Sequence, residues 1–376
     1  MLMKSYKISK ILIKPALIIL MVFLFDLLIN IILPENFKKK IGISRNYSLK
    51  SIKFHHEIAP NIEVYEHWGN KKYKVVTNEH SLRVLNKDKR IINNSKKNIG
   101  FFGDSFVYGS GIEYKNHFIN ILDEKNNNYN LLNLGFVSYS PSIYYKKLKY
   151  FLEVKNFKFD KIFLFIDHSD IQDEGIFYRE NSKGDIVRKW YSDTEVKNKN
   201  KKYIVKNYLK QNSFIFKFYE HFNSPKISER SKKCILNKSK KQYIDYLEPE
   251  RFGYGYKKEI YKEKWVDEGI NIILGYLDKI LILSKEYNFE LHIVYYPSAM
   301  EILDKVHFFS SKHFNFLNEW SFKNKINFIN NYNEFNQHND EKINYLKNFI
   351  ECDNHWNKNG HNIIAKNLLG LLNEKN

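Results

Sequence analysis

Cysteine is scarce in this chain: 376 residues carry two, Cys234 and Cys352. No Cys-x-x-Cys occurs, which excludes a metal or redox site built on paired thiols. The two can join in one disulfide, but nothing in the sequence demands it, and they leave the compartment open. Acidic side chains are also short, 42 against 61 Lys and Arg, for a formal net charge of +19. A basic balance can serve nucleic acid or an anionic membrane surface. Zinc-finger spacing and a basic heptad region are both missing, however. The lysines are scattered among Asn, Ile, Phe and Tyr, as AT-rich codon usage produces, so no nucleic-acid partner is expected. Internal repeats are absent too. The length suits one large domain or a domain with insertions. With 43% hydrophobic and 16% aromatic residues, the chain can build a sizeable core, which excludes disorder throughout.

What is present begins with an apolar run over residues 11–33, centred on Pro15-Ala-Leu-Ile-Ile-Leu-Met-Val-Phe-Leu-Phe25. It is long enough to cross a bilayer as a helix. Lys14 can snorkel at one end, and Asp26 and Asn30 are costly near the other. The rival is a cleaved signal peptide with Lys4, Lys7 and Lys10 as its basic region, but no small-x-small cleavage site follows. An uncleaved single-pass anchor over 1–34 is therefore expected. Orientation cannot be read from flanking charge, because Lys38, Lys39, Lys40, Arg45 and Lys50 follow the span.

Residues 35–97 read as a collar or linker with one strand at Tyr73–Thr77. Strand and helix then alternate. Strands are expected at Asn98–Phe102, Tyr129–Leu132, Lys161–Ile166, Leu291–Tyr296 and Ile326–Ile329. Helices are expected at Glu113–Lys125, Ser142–Val154, Tyr261–Tyr287, Lys305–Phe322 and Lys358–Leu372. Continuous apolar strands suit the interior of a parallel sheet. The pattern predicts an α/β domain over 98–376: a three-layer α/β/α, doubly wound (flavodoxin-like) parallel sheet. Residues 180–258, which contain Arg251-Phe-Gly-Tyr-Gly-Tyr256, break the rhythm and read as an insertion and a candidate lid over the site.

Ligands bind such sheets outside the carboxyl ends of the strands. Four chemically loaded segments fall there: Gly103-Asp104-Ser105-Phe106, Asn133-Leu134-Gly135, Asp167-His168-Ser169-Asp170, and Asp353-Asn354-His355-Trp356-Asn357 before the last helix. Ser105 fits a nucleophile at a strand-to-helix turn. A Ser hydroxyl needs a base, which His355 supplies near neutral pH. Asp353 can hold the other imidazole N–H. The N–H groups of Ser105 and Gly135 are candidate oxyanion donors. Taken singly, each motif has a plainer reading. Gly-Asp-Ser is commonly a turn, Asp104 a structural acceptor, Trp356 a packing residue, and His361 and His292 residues of helix and sheet. Order and placement together carry the case.

These residues resemble the SGNH/GDSL hydrolase family over roughly residues 98–374. Gly103-Asp104-Ser105-Phe106 matches its first block and Gly135 its second. Asp353-x-His355 with Gly360-His361 matches its last, in the form with one residue between Asp and His. That form is also seen in alginate-acetylation-type members. The third block departs: Ser169 stands where the family carries an Asn donor, with His168 as an alternative donor and Asp170 in support. The resemblance implies ester hydrolysis without metal or organic cofactor, on acylated carbohydrate or another small ester. It also implies a domain outside the cytoplasm. An O-acyltransferase using the same triad, and a glycan-binding or assembly protein that has lost activity, stay open, as does the oligomeric state.

Overall fold

A computed structural model describes residues 17–34, 48–189, 213–216, 234, 239–247, 264–304 and 312–373, apart from 19, 27, 30, 52, 53, 69, 70, 89–91, 94 and 127. Most of the insertion expected as a lid, including the aromatic-glycine stretch 251–256, lies outside the described residues. The chain divides into two compact units, Met1–Tyr47 with Trp190–Pro225, and Ser48–Lys189 with Lys226–Asn376.

In the first unit the described positions from 17 to 32 are helical. Their apolar side chains face outward, Met21 at 69% and Ile31 at 80% exposed. Asp26 is the exception. It is buried, and its carboxylate accepts the Ile215 N–H at 2.8 Å. Among the described residues no helix is long and apolar enough to cross a membrane; residues 1–16 of the expected anchor lie outside them.

The second unit is built on five parallel strands: β6 (Lys97–Phe102), β7 (Tyr129–Asn133), β8 (Phe159–Phe165), β11 (Glu290–Tyr295) and β12 (Asn327–Asn330), in the order β12-β11-β8-β6-β7. The central strand β8, Phe-Asp-Lys-Ile-Phe-Leu-Phe, is buried along nearly its whole length. Both of its faces must therefore be covered. The crossover from β6 to β7 runs one way along the sheet and that from β7 to β8 the other. Right-handed connections then place α2 (Phe118–Lys125) on one face and α3 (Pro141–Glu153) on the opposite one. Accordingly α3 packs with α6 (Lys264–Glu286), and α2 with α11 (Lys358–Asn373). The order reverses between β6 and β8, which opens a crevice at their carboxyl ends.

Two expectations need correcting. The helix expected at Glu113–Lys125 breaks at His117, whose backbone is extended (φ −78°, ψ 142°). Its Nδ1 accepts the Ile119 N–H at 3.2 Å and caps α2, after a 3-10 turn at Tyr114–Asn116. The helix expected at Lys305–Phe322 is described from Lys312, as α8 (Lys312–Asn324); residues 305–311 lie outside the described residues, and the short α7 (Ala299–Leu303) comes before them. Ser298 and Glu301 close a capping box on α7.

The collar holds far more strand than one segment. β1 (Ser48–Ser51) pairs with β2 (His55–Ile58), and β3 (Glu63–Trp68), β4 (Lys71–Thr77) and β5 (Arg83–Val84) form an antiparallel sheet. These strands are short and carry many Lys, Glu, His and Ser residues, which hid them in a polar stretch, although Glu66 and Arg83 are buried. A hairpin, β9 (Tyr178–Glu180) with β10 (Ile186–Arg188), opens the insertion, and α5 (Lys240–Leu247) lies further along it. Cys234 and Cys352 form a disulfide, closing a separation of 118 residues beside the Asp353–His355 loop.

Candidate active site

β6 ends in Phe102, and Gly103 turns the chain. A Cβ on Gly103 would stand 2.3 Å from Val107 Cγ2 and 3.1 Å from Phe165 Cβ, so no larger residue fits the bend. Asp104 caps α1 (Ser105–Tyr108), accepting the Phe106 N–H at 2.9 Å. Ser105 is thereby the first helical residue, at the sheet edge, with its own N–H outside the intrahelical ladder. The loop behind α1 is clamped by buried Arg83 of β5. Its guanidinium donates to the carbonyls of Tyr108 (2.8 Å), Gly109 (2.6 Å) and Ile112 (2.6 Å).

The last loop brings the remaining partners. Its shape is fixed by the Tyr345 hydroxyl, which contacts the carbonyls of Ile350 and Asp353 at 3.2 Å, and by Cys352 in the left-handed region (φ 61°). His355 Nε2 lies 2.7 Å from Ser105 Oγ, and its Nδ1 lies 2.5 Å from Asp353 Oδ1. The network selects one tautomer: Nδ1–H donates to the carboxylate and Nε2 accepts the Ser105 hydroxyl. The Phe106 ring stacks on the imidazole at 4.7 Å, and the Trp68 indole meets it edge-on at 4.7 Å. Trp68 Nε1–H also donates to Asp353 Oδ2 at 2.8 Å.

Burial pushes the His355 imidazole down. The charge and hydrogen bond of Asp353, with Asp104 and Asp167 behind, outweigh it and leave His355 raised above its ordinary value. Asp104 is pushed up to about 7 by burial first and by the charge of Asp167 second. Its Oδ2 lies 3.2 Å from Ser105 Oγ.

The crevice is a pocket of about 160 Å³, lined among others by Ser105, His355, Ser138, Asp167, His168 and Ser169. Gly135 does not line it. Its N–H donates to Asn133 Oδ1 at 3.2 Å, and a Cβ there would stand 2.9 Å from the Tyr108 nitrogen. Gly135 is a packing glycine against α1, so the oxyanion role expected for it is withdrawn. Three residues on, Ser138 has a left-handed backbone (φ 58°) and does line the pocket. The N–H groups of Ser105 and Ser138 have no acceptor among the described residues. Ser169 lines the pocket, but its hydroxyl donates to Asp167 Oδ1 at 2.6 Å and its N–H to the same oxygen at 2.8 Å. The third donor expected at Ser169 is therefore already engaged. Asp170 is buried, taking the Asp167 N–H on Oδ2 and the Tyr144 hydroxyl on Oδ1. It closes the capping box of α4 (His168–Gln172). His168 is buried in the pocket wall, and neither ring nitrogen has a hydrogen-bond partner among the described residues. His361 and Trp356 pack in the core, as their plainer readings had it.

Two residues escaped the sequence reading. Trp68 comes from the collar, where a lone Trp in a polar stretch carries no signal. Ser138 lines the pocket with a left-handed backbone, which no residue type announces.

No family profile matches the chain, and no curated protein matches it. Solved structures similar to it include a member of the lipolytic G-D-S-L family from Veillonella parvula, 13% identical, covering 74% of this chain and 100% of that one at a TM-score of 0.41. An acetylxylan esterase from Geobacillus stearothermophilus is 12% identical, with 76% and 97% covered and a TM-score of 0.37. A GDSL-like lipase from Bacteroides thetaiotaomicron is 10% identical, with 74% and 89% covered and a TM-score of 0.37.

Proposed function

We propose that this chain is a serine ester hydrolase working through Ser105, His355 and Asp353. The observation that carries the reading is the unbroken hydrogen-bond chain from Asp353 through His355 to Ser105, at 2.5 and 2.7 Å, over a pocket at the carboxyl edge of the sheet. Ser105 Oγ attacks the ester carbonyl and gives its proton to His355 Nε2. The tetrahedral oxyanion is met by the N–H groups of Ser105 and Ser138. His355 then protonates the leaving alcohol, and an acyl-Ser105 ester remains. Water attacks that ester, passing its proton to His355, and the acid leaves as Ser105 is restored.

The substrate class follows from size and lining. A pocket of about 160 Å³ is smaller than drug-sized sites and rich in Asp, Ser and His. It favours a short acyl group, acetyl above all, on a polar alcohol such as a carbohydrate. The apolar run 11–33, whose described apolar side chains are mostly exposed, is read as a single-pass anchor. The disulfide suits an oxidising compartment, which supports a domain outside the cytoplasm.

The test is a fluorophosphonate serine probe. Labelling of the full chain that disappears in Ser105→Ala supports the reading; a folded wild-type protein that takes no label overturns it. Hydrolysis of acetylated sugars with and without an added sugar acceptor then separates water from a sugar hydroxyl as the second nucleophile. Carbonate extraction of membranes tests the anchor.

A further inference from the structure

We propose that Trp68 is a positioning residue of this site: its indole N–H holds Asp353, and through it His355, so that the collar sheet completes the catalytic machinery. The inference rests on the esterase reading above. Asp353 presents two oxygens. Oδ1 takes both the ring and the backbone N–H of His355, at 2.5 and 2.8 Å. Oδ2 takes Trp68 Nε1–H at 2.8 Å, from a residue 285 positions away. A carboxylate bonded at one oxygen only can swing about its last torsion. Bonded at both, it is fixed in the plane that faces the imidazole.

The indole is itself held. Trp68 ends β3, in register with Lys71 of β4. Gly111 lies against its other side, where a Cβ would come 3.3 Å from Trp68 Cδ1. Gly111 is in the left-handed region (φ 78°) and belongs to the loop clamped by Arg83. Glu66, two residues before Trp68 on β3, accepts the hydroxyls of Tyr108, at 2.7 Å, and Tyr73. The carboxyl end of α1 and the loop after it are thus tied to the sheet that carries Trp68.

The consequence for His355 has a definite sign. The charged groups facing it are Asp353 from its own loop, Asp104 from the turn after β6 and Asp167 from the end of β8, with His361 of α11 behind. Donation from Trp68 draws charge from the Asp353 carboxylate. Without it the full charge bears on the imidazolium, which then keeps its proton to higher pH. A base that is protonated cannot accept the Ser105 proton, so the acid limb of kcat moves to higher pH.

The experiment compares wild type, Trp68→Phe, and a protein carrying benzothienylalanine at position 68, which keeps the ring shape and lacks the N–H. The His355 ring is titrated by NMR in the Ser105→Ala background, which needs no turnover. The pH profile of kcat and KM is measured in the active background. The expected result is an upward shift in both titrations. In addition kcat drops about tenfold, as loss of a hydrogen bond to a charged group implies, with KM changed by less than about twofold. An unshifted His355 titration with unchanged kcat overturns the proposal, as does a fall in melting temperature with the acid limb in place, which marks a packing role. If Trp68→Phe fails to fold, the benzothienylalanine protein decides. Failure of Ser105 to take the fluorophosphonate would sink the esterase reading instead, and the NMR titration keeps the two failures apart.

Discussion

On one side of the pocket, Ser105, His355 and Asp353 form a single chain of hydrogen bonds, and each link is braced from outside: Asp353 by Trp68, His355 by the Phe106 ring, the loop by Tyr345. On the other side, Asp167, Ser169 and Asp170 bond mainly to one another, and the free donors are backbone N–H groups at Ser105 and Ser138. Under the proposed mechanism the base side is made of side chains whose identity cannot change without loss. The acceptor side is made of a backbone turn that many side chains could decorate. Substitutions should therefore have steeply unequal effects across the pocket.

The largest effect is expected at the nucleophile. Ser105→Ala should cut kcat about 10⁶-fold, the scale on which a serine nucleophile contributes, measured by hydrolysis of an activated acetyl ester. Asp353→Asn comes next, with a loss of about 10⁴-fold. Its pH profile sharpens the point. Asp353 is the leading cause holding His355 above its ordinary value against burial, so the neutral amide lets the imidazole titrate lower. The acid limb of kcat should move down while the plateau falls, opposite to the direction expected when Trp68 loses its N–H.

The disulfide tests whether the base side needs its covalent tie. Cys352 directly precedes Asp353 and bonds to Cys234, 118 residues away. Replacing both with Ser should lower the unfolding free energy by about 3–4 kcal/mol, read from urea denaturation. It should also reduce kcat about tenfold, because a misplaced base loses rate steeply. An unchanged kcat in a destabilised protein would show that Tyr345 alone fixes the loop.

How much of this was legible in the sequence differs along the same divide. The strands β6, β8 and β11 were visible because doubly buried strands are continuous apolar runs, and the meeting of Ser105, Asp353 and His355 because a hydroxyl, a carboxylate and an imidazole all fell at strand and loop ends. The acceptor side was read by position and misassigned. Gly135 suggested an oxyanion donor, yet its missing Cβ makes room for Tyr108 of α1. Ser138 is proposed as a donor on its φ of 58° and its place in the pocket, and a serine advertises neither. The collar was hidden for another reason. Its contributions, Trp68, Glu66 and Arg83, act across long sequence distances onto α1 and the last loop, and no local period records such contacts.

The smallest effect is expected at Ser169, and it is the most informative about the acceptor side. A side chain that donates to the oxyanion is worth about 10²–10³-fold in kcat when removed. The Ser169 hydroxyl has one hydrogen, and it is given to Asp167 Oδ1 at 2.6 Å, so it cannot also serve the substrate. Ser169→Ala should therefore change kcat by less than about threefold under saturating ester. The cap of α4 should survive, because Asp167 keeps the N–H groups of residue 169 and of Asp170. A loss of a hundredfold would mean that the hydroxyl turns from Asp167 to the oxyanion once substrate is bound, and the two sides of the pocket would then both depend on side chains.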